Sequence, residues 1–289
     1  MAKDVNDAFG ILIDRLKPSE VETISAASHR ASIDACLKEK FKMTSLFRSG
    51  SFGHGTSVKG YSDVDYFAVI PAANLWTSSN YSLIKVKEAL QARFPLTSIA
   101  IRSPVVIVPF GGGAGGEHHE ISPAYANGTN NGHTVYAIPN RTDGWMSSSP
   151  NAHNAWVNVI NDKHSKKVKQ LIRLLKYWNY VQSAGIRSFY LELRTAEYAN
   201  YETAILYNID VKRMFAVLIN KGLAAMQDPQ GVSGYVYPCS DAVKESALSK
   251  LRTALTRAEK AYEAENAGKY SEAFQWWDMV FGGKFPAYY

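Results

Sequence analysis

Cysteine is scarce in this chain of 289 residues: only Cys36 and Cys239 occur. Two thiols so far apart form no CxxC pair, which leaves no disulfide framework and no cysteine-rich metal site. A reducing cytoplasm is the expected compartment. Long apolar runs are also missing. No stretch approaches the roughly 18 residues a membrane span needs, so no membrane role is expected. Asp4, Asp7, Asp14 and Arg15 interrupt the apolar residues of the first thirty, so no secretory leader is expected either. The sequence has no internal repeat and no long low-complexity tract. Charge of one sign is only mildly in excess: the net charge is +6 and the pI about 9.1. That balance suits an anionic ligand such as a nucleotide without demanding one. What is present is an ordinary globular composition, 46% hydrophobic and 20% charged, long enough for one large or two modest domains.

The hydrophobic spacing changes along the chain. Val5, Phe9, Leu12, Ile13 and Leu16 form a helical stripe, and Val21, Ile24, Ile33 and Leu37 resume it beyond Pro18. Ser19 and Glu22 have the spacing of a capping box for that second helix. Asp65–Ile70 predicts an apolar strand and 82–93 a helix. Strands are expected at Ile99–Ile101, Val105–Val108 and Glu117–Ser122, the last ended by Pro123, with a glycine-rich turn at 111–116. Beyond Ser147-Ser148-Ser149-Pro150 the strands give way to helical spacing at 153–181, 188–207, 210–226 and 240–267. The fold class is therefore α+β. Two domains are expected, 1–147 carrying the sheet and 148–289 helical.

One segment concentrates the chemistry. Phe47–Ile70 holds Gly50-Ser51, further glycines, and Asp63-Val64-Asp65 at the mouth of the apolar strand. Residues i and i+2 of a strand share a face, so Asp63 and Asp65 point the same way. Two carboxylates side by side repel one another unless a cation lies between them, and a hard divalent ion with oxygen ligands suits them best. Glycine lets a backbone approach an anion closely, and a helix starting at Ser51 would aim N–H groups at a phosphate. Asp-x-Asp alone would read as a polar turn before a strand. The glycine-serine pair upstream favours the metal reading.

The segment Gly50, Ser51, Gly53, Gly55, Thr56, Val58, Gly60, Ser62, Asp63, Val64, Asp65 closely resembles the polymerase β-like nucleotidyltransferases. The nearest branch is that of the oligoadenylate synthases, cyclic GMP–AMP synthase and the bacterial CD-NTases of anti-phage defence. The resemblance implies a mixed sheet with flanking helices plus a C-terminal helical domain. It also implies a third carboxylate on a later strand, which falls on Glu120 in Glu120-Ile121-Ser122-Pro123-Ala124; read without it, Glu120 is a solvent-facing strand residue. The neighbouring His118 and His119 are expected to be surface or locally hydrogen-bonded residues, because a His pair without spaced partners is a weak zinc signal.

The second half extends the likeness. Lys169, Arg173 and Lys176 share a face apart from the apolar stripe of their helix, which by itself reads as a solvated basic edge. Arg173-Leu174-Leu175-Lys176-Tyr177-Trp178 resembles the family helix whose lysine reaches the triphosphate, giving that role to Lys176. Ser188-Phe189-Tyr190-Leu191-Glu192 resembles the segment whose serine contacts phosphates and whose aromatic stacks on the base, giving those roles to Ser188 and Phe189; plain helix core is the competing reading of Phe189. Trp276-Trp277 through Pro286 resembles the closing segment of CD-NTases.

The resemblance implies nucleotide binding by Gly50, Ser51, Lys176, Ser188 and Phe189, and catalysis by Asp63, Asp65 and Glu120 with two Mg²⁺ ions, Mn²⁺ being the alternative. The expected activity is template-independent synthesis of a cyclic di- or trinucleotide from NTPs, ATP among them. A linear oligoadenylate or RNA-tailing enzyme is the alternative. A regulatory protein partner is expected rather than a nucleic-acid activator, because nothing resembles a zinc thumb or a long basic insertion.

Overall fold

A computed structural model describes residues 2–18, 20–61, 63–110 and 117–289. The capping position Ser19, the motif residue Ser62 and the glycine turn at 111–116 lie outside the described residues. The elements run in chain order as α1 (Val5–Leu16), α2 (Glu20–Phe41), β1 (Ser45–Arg48), α3 (Gly50–His54), β2 (Val64–Val69) and α4 (Ser79–Arg93). Then follow β3 (Ala100–Arg102), β4 (Val105–Phe110), β5 (Glu117–Asn130), β6 (His133–Pro139) and β7 (Trp145–Ser148). The remainder is α5 (Pro150–Lys163), α6 (Lys167–Val181), α7 (Ser188–Asn200), α8 (Tyr207–Asn220), β8 (Met226–Gln227), β9 (Tyr235–Val236), α9 (Asp241–Asn266) and α10 (Tyr270–Val280).

The chain divides into two compact units. One comprises Pro18–Ala155 with Gln230–Gly234; the other comprises the chain up to Lys17, Trp156–Pro229 and Tyr235–Tyr289. This differs from the expected 1–147/148–289 division in three ways. The division falls inside α5, α1 joins the helical unit, and Gln230–Gly234 joins the sheet unit. Periodicity marks α1 as amphipathic but cannot say what its apolar stripe meets. Here Phe9 sits edge-on to Trp277 and Phe285, with ring centroids 5.0 and 5.2 Å away.

The sheet unit holds one mixed sheet in the order β1-β2-β5-β4-β3, with β6 pairing β5 and β7 pairing β6. Among the described residues of this sheet only β2 and β5 run parallel; the other pairings are antiparallel. Strict alternation along β2 separates two faces. Val64, Tyr66 and Ala68 are buried with Leu37, Val86 and Leu90 of the packed helices α2 and α4, and with Val106 and Ile121. Asp65 and Phe67 point to the opposite face, where Phe67 packs with Ala124 and Ile138.

β5 is longer than the sequence suggests, because Pro123 does not end it. Proline lacks a ladder donor and is tolerated where no neighbour requires one. On one side of β5, β4 stops opposite Ile121 and β6 begins opposite Tyr125. Pro123 lies in that gap. On its other side it is paired with Ala68, and the parallel ladder continues to Ala124.

In the helical unit α6 packs on α7 and α8, and α9 on α8 and α10. The expected helix over 153–181 is two helices, since Ser165 and Lys166 take left-handed φ values of 52° and 66° between α5 and α6. Among the described residues no helix is long and apolar enough to cross a membrane.

Candidate active site

The site is built from the β1–α3–β2 connection and the start of β5. Ser49 N–H donates to the Asp65 carbonyl at 2.9 Å, which pins the chain entering α3 against β2. α3 starts one residue earlier than expected, at Gly50. Gly50 has φ +53°, and a Cβ there would lie 2.0 Å from Asp65 Oδ2. Only glycine allows the backbone this close to that carboxylate.

The parallel ladder places Asp65 opposite Glu120. Asp63, just before β2, belongs to the same strand face. Arg102 at the end of β3 links them: its Nη2 donates to Glu120 Oε1 and lies 3.9 Å from Asp63 Oδ2. His118 Nδ1 lies 3.5 Å from Asp63 Oδ1. The three expected carboxylates are thus gathered on the face away from α2 and α4. A cavity of about 520 Å³ opens beside them, lined by Ser49, Asp65, Glu120, Ser122, Arg102 and Arg141 among others.

The two histidines separate by strand parity. His118 shares the carboxylate face, whereas His119 is buried on the core face and stacks on Tyr66, centroids 5.4 Å apart and planes 8° apart. Of the two positions expected for it, His119 does not take the surface one, because alternation turns it inward. Asp143, another carboxylate of the sheet unit, is engaged elsewhere. Its Oδ1 accepts from Ser78 Oγ at 2.8 Å and Asn80 N–H at 2.9 Å, capping the start of α4. These bonds, the backbone one foremost, hold its carboxyl below the ordinary 3.8.

Among the described residues no group of three His, Cys, Asp or Glu stands arranged as a metal cage. The chemistry of the donor set nevertheless suits a hard cation. The three side chains offer only carboxylate oxygens, and one guanidinium already reaches two of them, so a single cationic group can serve both.

The expected nucleotide-binding residues of the second half lie in the helical unit. Lys176 is only 1% exposed, and its Nζ is 3.8 Å from Glu192 Oε2. Arg173 is buried as well, and burial lowers its pKa and that of Lys169. The reading of this face as a solvated edge therefore fails for Arg173 and Lys176, which are buried, while Lys169 is half-buried. Ser188 opens α7, with its Oγ 3.1 Å from Tyr180 OH. Phe189 beside it is half-buried.

Sequence reasoning missed Arg102, Arg141 and Ser122. Ser122 was within reach, since it follows Glu120 by two residues and so shares its face; its hydroxyl is buried with no hydrogen-bond partner among the described residues. Arg102 and Arg141 come to the site only through the pairing of β3 with β4 and the loop after β6, which no local pattern encodes.

A mixed sheet whose open face carries registered carboxylates beside a Gly-Ser helix start defines a polymerase β-like nucleotidyltransferase fold. Residues 4–161 match the Second Messenger Oligonucleotide or Dinucleotide Synthetase domain, and the chain belongs to that family. A probable cyclic nucleotide synthase of Bacillus cereus (strain VD146) is 27% identical over 173 residues. That match takes in 58% of this chain and 52% of the relative, about half of that protein's length. The fold is that of CD-NTases over nearly the whole chain. CdnC of E. coli MS115-1, solved with ATP, superposes with a TM-score of 0.77 at 18% identity, covering 98% of this chain and 99% of that one. The same CdnC has been solved in a CdnC:HORMA-deltaN complex. DncV of Vibrio cholerae, a cyclic AMP-GMP synthase solved with the linear intermediate pppA(3′,5′)pG, gives 0.78 at 13% identity, covering 95% and 93%.

Proposed function

We propose that the chain is a template-independent nucleotidyltransferase that joins NTPs, ATP among them, into a cyclic di- or trinucleotide messenger. The observation that carries this reading is the Asp65–Glu120 register pair, with Asp63 tied to Glu120 through one guanidinium, in a chain of the synthetase family. Asp63, Asp65 and Glu120 would hold divalent ions, two Mg²⁺ or Mn²⁺. When bound, such ions neutralise phosphate charge and lower the pKa of an acceptor hydroxyl.

The protein's own groups do the positioning. Gly50 lets α3 abut Asp65, and the first-turn N–H groups at Gly50 and Ser51 have no partner within their helix, which suits them to phosphate oxygens. Asp65 and Glu120 are fixed on adjacent hydrogen-bonded strands, so their spacing is set by the ladder and not by loop geometry. The family resemblance gives Lys176 and Ser188 the triphosphate and Phe189 the base, and Lys176 would have to leave its buried pairing with Glu192 to take that role. A regulatory protein partner follows by analogy with CdnC, and a role in anti-phage defence by analogy with the family. Two free cysteines, one of them buried, suit a cytoplasmic location.

The test is incubation of the protein with all four NTPs and Mg²⁺, followed by chromatography, mass measurement and phosphatase treatment. A ring has no terminal phosphate, so the expected product survives phosphatase, and a linear intermediate rises early and then vanishes. A phosphatase-sensitive ladder of lengths would instead identify a linear polymerase. No product from any NTP mixture would overturn the assignment.

A further inference from the structure

We propose that Arg102 is an internal counter-cation that occupies the carboxylate cluster and competes with a divalent ion for Glu120 and Asp63. This rests on the metal reading given above and concerns a residue that reading does not use. Arg102 ends β3, where Ala100, Ile101 and Arg102 pair with Ile107, Val106 and Val105 of β4. β4 pairs in turn with β5, setting Ile107 opposite Glu120. Two ladders therefore deliver the arginine to the site from the strand beyond β4. Its guanidinium donates to Glu120 Oε1 and stands 3.9 Å from Asp63 Oδ2, in the gap between the two carboxylates.

A guanidinium and a divalent ion cannot hold the same oxygens together, since like charges at that separation repel. The arginine carries one positive charge where the cluster formally carries three negative ones, so it offsets the repulsion among the carboxylates only in part. It is also easily displaced. Its side chain is 68% exposed, so the charge can swing into water at little cost, while Glu120, only 15% exposed, stays fixed on β5 for the ion to take. Arg102 therefore sets a threshold. At low divalent concentration it holds the carboxylates in place; at higher concentration the ion replaces it and the freed guanidinium faces the cavity it lines.

The opposite role would be preorganisation, with Arg102 holding Glu120 in the geometry a metal needs. The two roles give opposite signs. In the full-length protein without nucleotide, Mn²⁺ binding is measured by electron paramagnetic resonance for wild type, Arg102→Gln, Arg102→Lys and Asp65→Asn, with melting temperatures taken with and without Mn²⁺.

Competition predicts that Arg102→Gln binds Mn²⁺ at least about threefold more tightly than wild type, with Arg102→Lys between them. It also predicts that Arg102→Gln melts lower than wild type without Mn²⁺ and gains more on its addition. Equal or weaker Mn²⁺ binding in Arg102→Gln overturns the proposal while leaving the metal reading intact, provided Asp65→Asn loses binding. If wild type binds no Mn²⁺, or if Asp65→Asn binds as wild type does, the metal reading falls and the proposal with it.

Discussion

Gly50 and Asp65 approach so closely that the smallest side chain at position 50 would overlap the carboxylate: a Cβ there would stand 2.0 Å from Asp65 Oδ2 and 2.6 Å from its Cγ. The glycine also has φ +53°, which costs a residue with a Cβ about 1–2 kcal/mol.

Gly50→Ala is therefore expected to lower stability by about 1–2 kcal/mol in urea denaturation, and to lower nucleotidyl transfer by at least about tenfold, or 1.36 kcal/mol of barrier. The second effect comes from displacement of Asp65. Transfer at the wild-type rate in Gly50→Ala would mean that the position of Asp65 does not matter to the reaction.

Glu120→Gln is expected to cost more than about a hundredfold in turnover, or 2.7 kcal/mol, while Glu120→Asp keeps part of it. Charge at this position neutralises a cation, whereas reach can be made up by small shifts. Wild-type turnover in Glu120→Gln would remove Glu120 from the catalytic set. The double change Asp63→Asn with Asp65→Asn is expected to abolish turnover with an unchanged circular dichroism spectrum. It removes like-charge repulsion at the half-buried start of β2 and no core contact.

Lys176 and Glu192 form a buried pair, and removing one partner leaves the other's buried charge less well compensated; truncating a buried pair costs up to about 3–5 kcal/mol. Lys176→Ala should therefore destabilise the protein as well as weaken NTP binding. The double change Lys176→Met with Glu192→Leu separates the two effects. Stability should return, while KM for NTP stays raised and kcat changes little, as for a group that binds ground and transition states alike. Recovery of KM along with stability would make the lysine purely structural.

Asp143 provides a pH signature. Its carboxyl is held below the ordinary 3.8, first by the Asn80 backbone N–H and then by the Ser78 hydroxyl. A depressed folded-state pKa stabilises above the unfolded-state value, and that gain is lost as pH falls through the folded-state value. Melting temperatures of wild type and Asp143→Asn should differ at pH 6 and converge on acidification below the ordinary value. A difference independent of pH would show that the cap works without its charge.

The shared face of Asp63 and Asp65 and the glycine-serine turn before them could be read from local signals, namely residue identity, spacing and the two-residue period of a strand, whereas Glu120 was reached only through the family resemblance, since its own pattern reads as a solvent-facing strand residue. That same period, carried two residues on from Glu120, marks Ser122 and turns His119 inward. Arg102 and Arg141 could not be read, because their places depend on strand order, and nothing within 18 residues of Glu120 announces which strand lies beyond β4. The buried state of Lys176 and Arg173 was hidden for a related reason. Their spacing correctly separates a basic face from an apolar one, but a second helix covers the basic face too. Pro123 misled as a strand terminator because the rule concerns a missing donor, and at that point β5 has no neighbour on one side.

The clasp that holds α1 bears on the order in which contacts close. Ala2 N–H donates to the Ala287 carbonyl at 2.9 Å, Tyr289 N–H to the Ala2 carbonyl at 3.0 Å, and Phe9 lies among Trp277, Phe281 and Phe285. α1 thus docks on residues far along the chain, a non-local contact whose closure entropy must be met before the contact rewards it. The sheet needs no such closure for its own core, because β1–β7 pair among themselves. α1 is therefore the element expected to dock late and detach early, its apolar stripe uncovered while the carboxylate site stays assembled.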